Sequence, residues 1–145
     1  MTHEGLLIIG YGNELRGDDA VGPLAARKLA DRGFDALALH QLTPELAERI
    51  AAAHAVIFLD ADARVPPGQV VVEPLAPAGA PSTLGHYAGS ASLLSLARAI
   101  YGASPEAWQV RIGAETFEFG EAMSVAAEQA VRAAIDETVR ISAQL

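Results

Sequence analysis

The chain has 145 residues, 51% of them hydrophobic, with 10 Lys and Arg against 18 Asp and Glu for a formal net charge of −8. That length suits one domain with a substantial core, and the acidic balance argues against nucleic acid or an anionic membrane as partner. With no cysteine, disulfides, thiolate metal sites, Fe–S clusters and a Cys nucleophile are all excluded.

The opening Met1-Thr2-His3-Glu4 lacks the basic segment of a signal peptide, and no stretch nears the roughly 20 apolar residues that cross a bilayer. A cytoplasmic monomer is expected. Leu6 to Ile9 is a continuous apolar run, read as a strand buried on both faces. It empties into the glycine-rich loop Gly10-Tyr11-Gly12-Asn13-Glu14-Leu15-Arg16-Gly17, which ends on Asp18-Asp19. Val21 to Ala30 then reads as a helix, with Pro23 in its first turn and Gly33 as its stop. Ala36 to Leu42 predicts a second strand with His40 near its end. Thr43-Pro44-Glu45 predicts a helix start, with Thr43 as N-cap and Leu46, Ala47 and Ile50 on the apolar face.

Ala55-Val56-Ile57-Phe58-Leu59 is the clearest central strand and runs into Asp60-Ala61-Asp62. Pro66-Pro67-Gly68 marks a turn, and Gln69 to Glu73 reads as a strand close enough to pair with the preceding one as a hairpin. Leu75 to Gly85 is a long Pro-, Ala- and Gly-rich loop, and long loops in compact domains are commonly functional. His86 stands where it meets the next helix, about Ala88 to Tyr101, with Leu93, Leu96, Ala97 and Ile100 at core-facing spacing. Trp108 to Ile112 reads as the last strand. Ser124 is the expected N-cap of a final helix that presents Ala127, Val131, Ile135 and Val139 along one face. Alternating strands and helices predict an α/β fold, a three-layer α/β/α sandwich over residues 1–145. Its twisted sheet of about five strands is expected to be mostly parallel, with one strand antiparallel.

This order places carboxylates at the carboxyl edge of buried parallel strands, where open α/β sheets build ligand crevices. Asp19 follows the first strand, Asp60 ends the central one, and His86 closes the long loop. Strands lie about 4.8 Å apart, so acids after adjacent strands can share a small cation. Two carboxylates and an imidazole suit a borderline divalent metal such as zinc, nickel or iron better than magnesium. Each residue also has a plainer role. Asp18 or Asp19 can complement a helix dipole, Asp62 can serve as a turn residue, and His86 can be an ordinary loop histidine. His40 and His54 read as structural or solvent-facing. Glu14 and Arg16 are either solvated or contacts for a peptide.

The loop departs from the nucleotide fingerprint. Gly10 and Gly12 match the first two glycines of G-x-G-x-x-G, but Leu15 holds the third position and no G-K-[ST] follows. A nucleotide- or small-molecule-binding domain using loop 10–17 nevertheless stays open as an alternative.

The pattern Gly10-x-Gly12-Asn13-x-Leu15-x-x-Asp18-Asp19-x-x-Gly22, then Asp60-Ala61 after an apolar strand, then a histidine opening a helix, resembles the hydrogenase maturation endopeptidases. His40-Gln41-Leu42-Thr43-Pro44-Glu45-Leu46 and Glu115-Thr116-Phe117-Glu118-Phe119-Gly120-Glu121 are also similar to that family. One departure is visible: many members carry extra residues after the glycine that ends the last strand, here Gly113. The resemblance implies an α/β/α peptide hydrolase. Its partner would be the large-subunit precursor of a nickel-containing hydrogenase, whose C-terminal extension it removes once nickel is inserted. The family's metal-contacting acid, aspartate and histidine fall on Asp19, Asp60 and His86, which would be both catalytic and metal-binding. Gly12, Asn13, Glu14 and Arg16 are expected to contact substrate. Nickel would arrive with the substrate, although another divalent ion such as zinc could occupy the same ligands. Metal-assisted cleavage and an aspartic-type dyad, with Asp19 and Asp60 sharing a proton, are both left open.

Overall fold

The computed structural model describes residues 4–78 and 89–145. Strand β1 (Leu6–Tyr11) leads through a 3-10 turn (Gly17–Ala20) into α1 (Val21–Asp31), followed by β2 (Asp35–Leu39), α2 (Leu46–Ala52) and β3 (Ala55–Asp62). Then come β4 (Val70–Pro74), α3 (Ser90–Tyr101), β5 (Glu106–Gly113) and α4 (Val125–Ser142). The strands form one sheet in the order β2-β1-β3-β5-β4. Every neighbouring pair is parallel except β4 with β5. The expected α/β architecture is therefore present.

Alternation along the strands divides the core in two. Leu6, Ile8, Ile57, Leu59, Val110 and Ile112 face α1 and α4, while Leu7, Ile9, Val56, Phe58 and Ala107 face α2 and α3. Strand β3 lies in the middle of the sheet, and Ala55 to Leu59 are all buried, as a strand covered on both faces requires. The chain leaves β1 toward one side of the sheet to form β2 and returns past it to form β3. The crevice expected of such a sheet therefore opens beyond the carboxyl ends of β1 and β3.

Four expectations need correction. The antiparallel strand β4 pairs with β5, not with β3 as a hairpin, because β5 takes the edge of β3 and pushes β4 outward. Thr43 does not cap α2; residues 44 and 45 form a turn and the helix begins at Leu46, so the hydroxyl sits too early to reach its free amides. Ile100 is 59% exposed near the end of α3, while Leu94, in the first half of that helix, is buried. Strand β2 stops at Leu39, which leaves His40 beyond its end. Ser124 does cap α4, its Oγ accepting the Ala127 N–H at 3.1 Å.

The first turn of α1 presses on the strands it follows. A Cβ on Gly22 would lie 2.6 Å from the carbonyl oxygens of both Leu59 and Tyr11. Gly22→Ala is therefore expected to lower stability by about 1–3 kcal/mol, despite alanine's better helix propensity. An unchanged urea midpoint would contradict this close approach.

Candidate functional site

Tyr11 ends β1, and the chain turns at once through Gly12, whose φ of 152° is open to glycine and strained for other residues. A Cβ there would also strike the Asp19 carbonyl oxygen at 2.1 Å. The glycine thus lets the loop fold back over the 3-10 turn that carries both aspartates.

The two aspartates then diverge. Asp18 is fully buried. Its Oδ2 accepts the Glu115 N–H at 2.9 Å, the Thr116 N–H at 3.2 Å and the Ser124 hydroxyl at 2.9 Å, and its Oδ1 accepts the Ser124 N–H at 2.7 Å. Burial alone would raise the pKa of such a carboxyl, but these four donors outweigh it and hold Asp18 below its ordinary value. This residue is a clasp between the loop after β1 and the loop after β5.

Asp19 takes no part in that clasp and is only partly buried. Its Oδ2 accepts the Asn13 N–H at 2.7 Å. A phosphate on this loop would need that amide, so the arrangement does not favour the nucleotide alternative.

Asp60 lies just past the buried part of β3, on the face shared by Val56 and Phe58, and is partly buried. Its pKa is pushed up to about 7, first by burial and then by the negative charge of Asp19. Hydrogen bonds from the Tyr11 hydroxyl and the Ala61 N–H oppose the rise, and Asp62 adds to it. The Tyr11 phenol is itself raised, by burial and by Asp60. The charge of Asp19 is thus felt by Asp60 at the crevice.

Asp62 sits on the same side but is already satisfied. Its Oδ1 accepts the Arg64 N–H at 2.8 Å, the Asx-type turn bond expected from sequence. The Arg64 guanidinium also pairs with it, and these hydrogen bonds hold its pKa low. Arg111, opposite Asp60 in the β3–β5 register, is engaged with Glu73.

The residues expected to contact substrate fall into two groups. Gly12, Asn13 and Glu14 line a cleft of about 240 Å³ together with Leu15, Arg27 and His40. Glu14 is ion-paired with Arg27, and the Asn13 Oδ1 caps the turn by accepting the Leu15 N–H. Arg16 is exposed and does not line the cleft. A larger hollow of about 410 Å³ opens at the amino ends of β1 and β2, where no candidate residue reaches.

His86 lies outside the described residues. Among the described residues, no group of three His, Cys, Asp or Glu side chains could hold a metal ion. What the described residues bring together is the carboxylate pair.

Sequence reasoning missed Tyr11 and Gln109, which stand beside this pair. A usable signal was present: Tyr11 continues the alternation of Leu7 and Ile9, which puts it on the same sheet face as Phe58 and Asp60.

Together these features define an α/β protein with an acid pair, one member titrating near neutrality, at the topological switch point of its sheet. Solved structures share the fold. HybD, a [NiFe] hydrogenase maturation protease from Thermococcus kodakarensis, is 24% identical with a TM-score of 0.77, over 94% of this chain and 98% of that one. HycI from Thermococcus kodakarensis KOD1, also a [NiFe] hydrogenase maturation protease, is 24% identical with a TM-score of 0.71, over 97% and 92%. The hydrogenase maturating endopeptidase HybD from E. coli is 20% identical with a TM-score of 0.69, over 96% and 92%. No family model and no curated protein matches the sequence. The chain has the fold of the hydrogenase maturation proteases. Among the described residues, no helix is long and apolar enough to cross a membrane.

Proposed function

We propose that this chain is a hydrogenase maturation endopeptidase, which removes the C-terminal extension of a nickel-containing hydrogenase large-subunit precursor after nickel insertion. The observation that carries this reading is the fold, shared along nearly the whole chain with hydrogenase maturation proteases, with Asp60 at its crevice raised to about 7 by burial and by the charge of Asp19. An acid maintained half-protonated at neutral pH is costly to the fold and useful to a reaction.

Nickel is part of the substrate here. Oxygen and imidazole ligands without thiolate hold nickel only moderately, whereas nickel seated in the precursor can accept Asp19, Asp60 and His86 at an open position. Docking on the metal would set the scissile peptide beside the acids and make cleavage effectively intramolecular. Polarisation of the peptide carbonyl by the metal, or attack by metal-bound water, would follow. Processing would then depend on nickel insertion. The aspartic-type alternative uses the same two carboxylates, one protonated and one not, and gives the imidazole no role. Metal dependence of cleavage separates the two.

The test is a reconstituted reaction of this protein with nickel-loaded and nickel-free precursor. Asp60→Asn and His86→Ala are each expected to leave a folded protein that no longer trims the loaded precursor. Unchanged trimming by both variants rejects the scheme.

A further inference from the structure

The Asp18 clasp joins two loops, and each presents a large apolar side chain to solvent. Leu15, in the loop after β1, is 61% exposed, and Phe119, in the loop after β5, is 70% exposed. The fold accounts for neither. Phe119 occupies the turn from Glu118 to Glu121, which is closed by the Glu121 N–H donating to the Glu118 carbonyl at 3.2 Å. Proline and small polar residues suit such a turn, so a phenylalanine there gains nothing from the turn itself. Left in water, its ring also forgoes the burial that ordinarily makes it stabilising.

The two loops are fastened to each other. The Gly120 N–H donates to the Leu15 carbonyl at 2.7 Å, and the Asp18 N–H donates to the Thr116 carbonyl at 2.7 Å. Leu15 and the Phe119 turn are therefore backbone neighbours, held in place beside the buried Asp18 carboxylate. The loop that carries Leu15 runs on into Asp19, and Leu15 itself lines the 240 Å³ cleft. Charge completes the surface. Glu115, Glu118 and Glu121 are exposed, and none of them pairs with a cation among the described residues, whereas Glu14 and Glu73 are ion-paired. Arg16 is the single basic residue in loops 12–20 and 114–124.

We propose that Leu15 and Phe119 anchor the precursor on this surface, taking an apolar stretch of it that carries Lys or Arg to meet Glu115, Glu118 and Glu121. The inference rests on the endopeptidase reading for the identity of the occupant. Its chemistry follows from complementarity: exposed apolar anchors are desolvated by an apolar segment, and an acidic rim selects a basic one. A second copy of this chain fits poorly, because each copy carries a net charge of −8. The surface adjoins the acids without including them, so it should act on affinity for the precursor and leave the chemical step alone.

The experiment follows trimming of nickel-loaded precursor by wild type, Phe119→Ser, Leu15→Ser and the double charge reversal Glu118→Lys with Glu121→Lys. Ile100→Ser, at a comparably exposed apolar position on α3, is the control. Phe119→Ser and Leu15→Ser are each expected to raise KM about 10-fold with kcat changed less than about 3-fold, the scale of an anchor residue at an interface. The charge reversal should raise KM at low salt and lose that effect as salt screens the rim. Ile100→Ser should behave as wild type. A wild-type KM in Phe119→Ser overturns the inference, and so does a loss that falls on kcat or a charge reversal that lowers KM. A wild-type dimer in sedimentation that Phe119→Ser dissociates gives the surface to a second copy and also overturns it. If wild type leaves the loaded precursor uncut, the endopeptidase reading fails. Calorimetric binding of that precursor, weakened by Phe119→Ser, then upholds the surface alone; binding that is absent or unweakened overturns it as well.

Discussion

Asp18→Ala is expected to destabilise the protein by about 3–5 kcal/mol, the scale of removing one partner from a buried charge network. The substitution strands three backbone N–H groups and one hydroxyl, donated by Glu115, Thr116 and Ser124 from a loop almost a hundred residues away. The damage spreads, because the Ser124 hydroxyl that donates to Asp18 also accepts the Ala127 N–H, one of the free amides in the first turn of α4. Asp18→Asn should cost less but still more than a surface change, since an amide turns one pair of N–H groups toward donors. The pH dependence gives a second reading. The Asp18 carboxyl is held below its ordinary value, so its contribution is present in full above the unfolded-state pKa of 3.8 and is lost as pH falls through the folded value. Wild type should therefore weaken on acidification more steeply than Asp18→Asn in urea melts between pH 5 and pH 3. Parallel curves for the two proteins would show that the clasp does not hold.

That clasp marks the limit of what the sequence discloses. Adjacent aspartates before a helix look interchangeable, and the local rule of acid at a helix start serves either one. What separates them is the loop Glu115–Ser124, which only the folded sheet brings to Asp18. Ser124 itself was legible because an N-cap is decided within four residues. Strand β3 was legible because five consecutive apolar residues, all buried, leave little choice of environment. The partner of β4 was not, since sequence proximity favours a hairpin with β3, while β5, arriving after a helix, completes the parallel sheet first. Ile100 illustrates a similar limit. Helical spacing gives it the core face, but the last turn of α3 runs past what it packs on.

Of the candidate site, Asp19 and Asp60 could be foreseen as neighbours once the strands were ordered, because acids after adjacent parallel strands converge. The rise of the Asp60 pKa through burial and charge could not, and neither could the buried Ser90–Gln109 hydrogen bond on the same sheet face. Those depend on which face each residue takes and on where α3 begins.

The same fold that uses Asp18 to gain stability loses some through Asp60, and the two should answer pH in opposite senses. The Asp60 pKa rises from 3.8 to about 7 on folding, because burial and the Asp19 charge disfavour its ionised form. Below pH 3.8 the carboxyl is protonated in both states and imposes no penalty. Between there and pH 7 the unfolded chain ionises more readily than the native one, so native stability drains away as pH rises. Above pH 7 the penalty is complete and constant. Asp60→Asn removes the titration while keeping the shape, so it should be more stable than wild type at pH 8, by at most about 4 kcal/mol at 1.36 kcal/mol per pKa unit. Part of that gain is offset by burying an amide where a carboxyl stood. The difference should shrink to near zero or reverse by pH 4. Asp19→Asn should show part of the same effect, because the Asp19 charge contributes to the rise and an asparagine oxygen can still accept the Asn13 N–H. A site acid whose removal stabilises the free protein while abolishing its reaction is under functional constraint, and paired thermal melts at pH 5 and pH 8 measure that constraint directly. If Asp60→Asn were less stable than wild type at both values, the carboxyl would be holding the fold together, and Asp60 would belong with Asp18 as a structural residue.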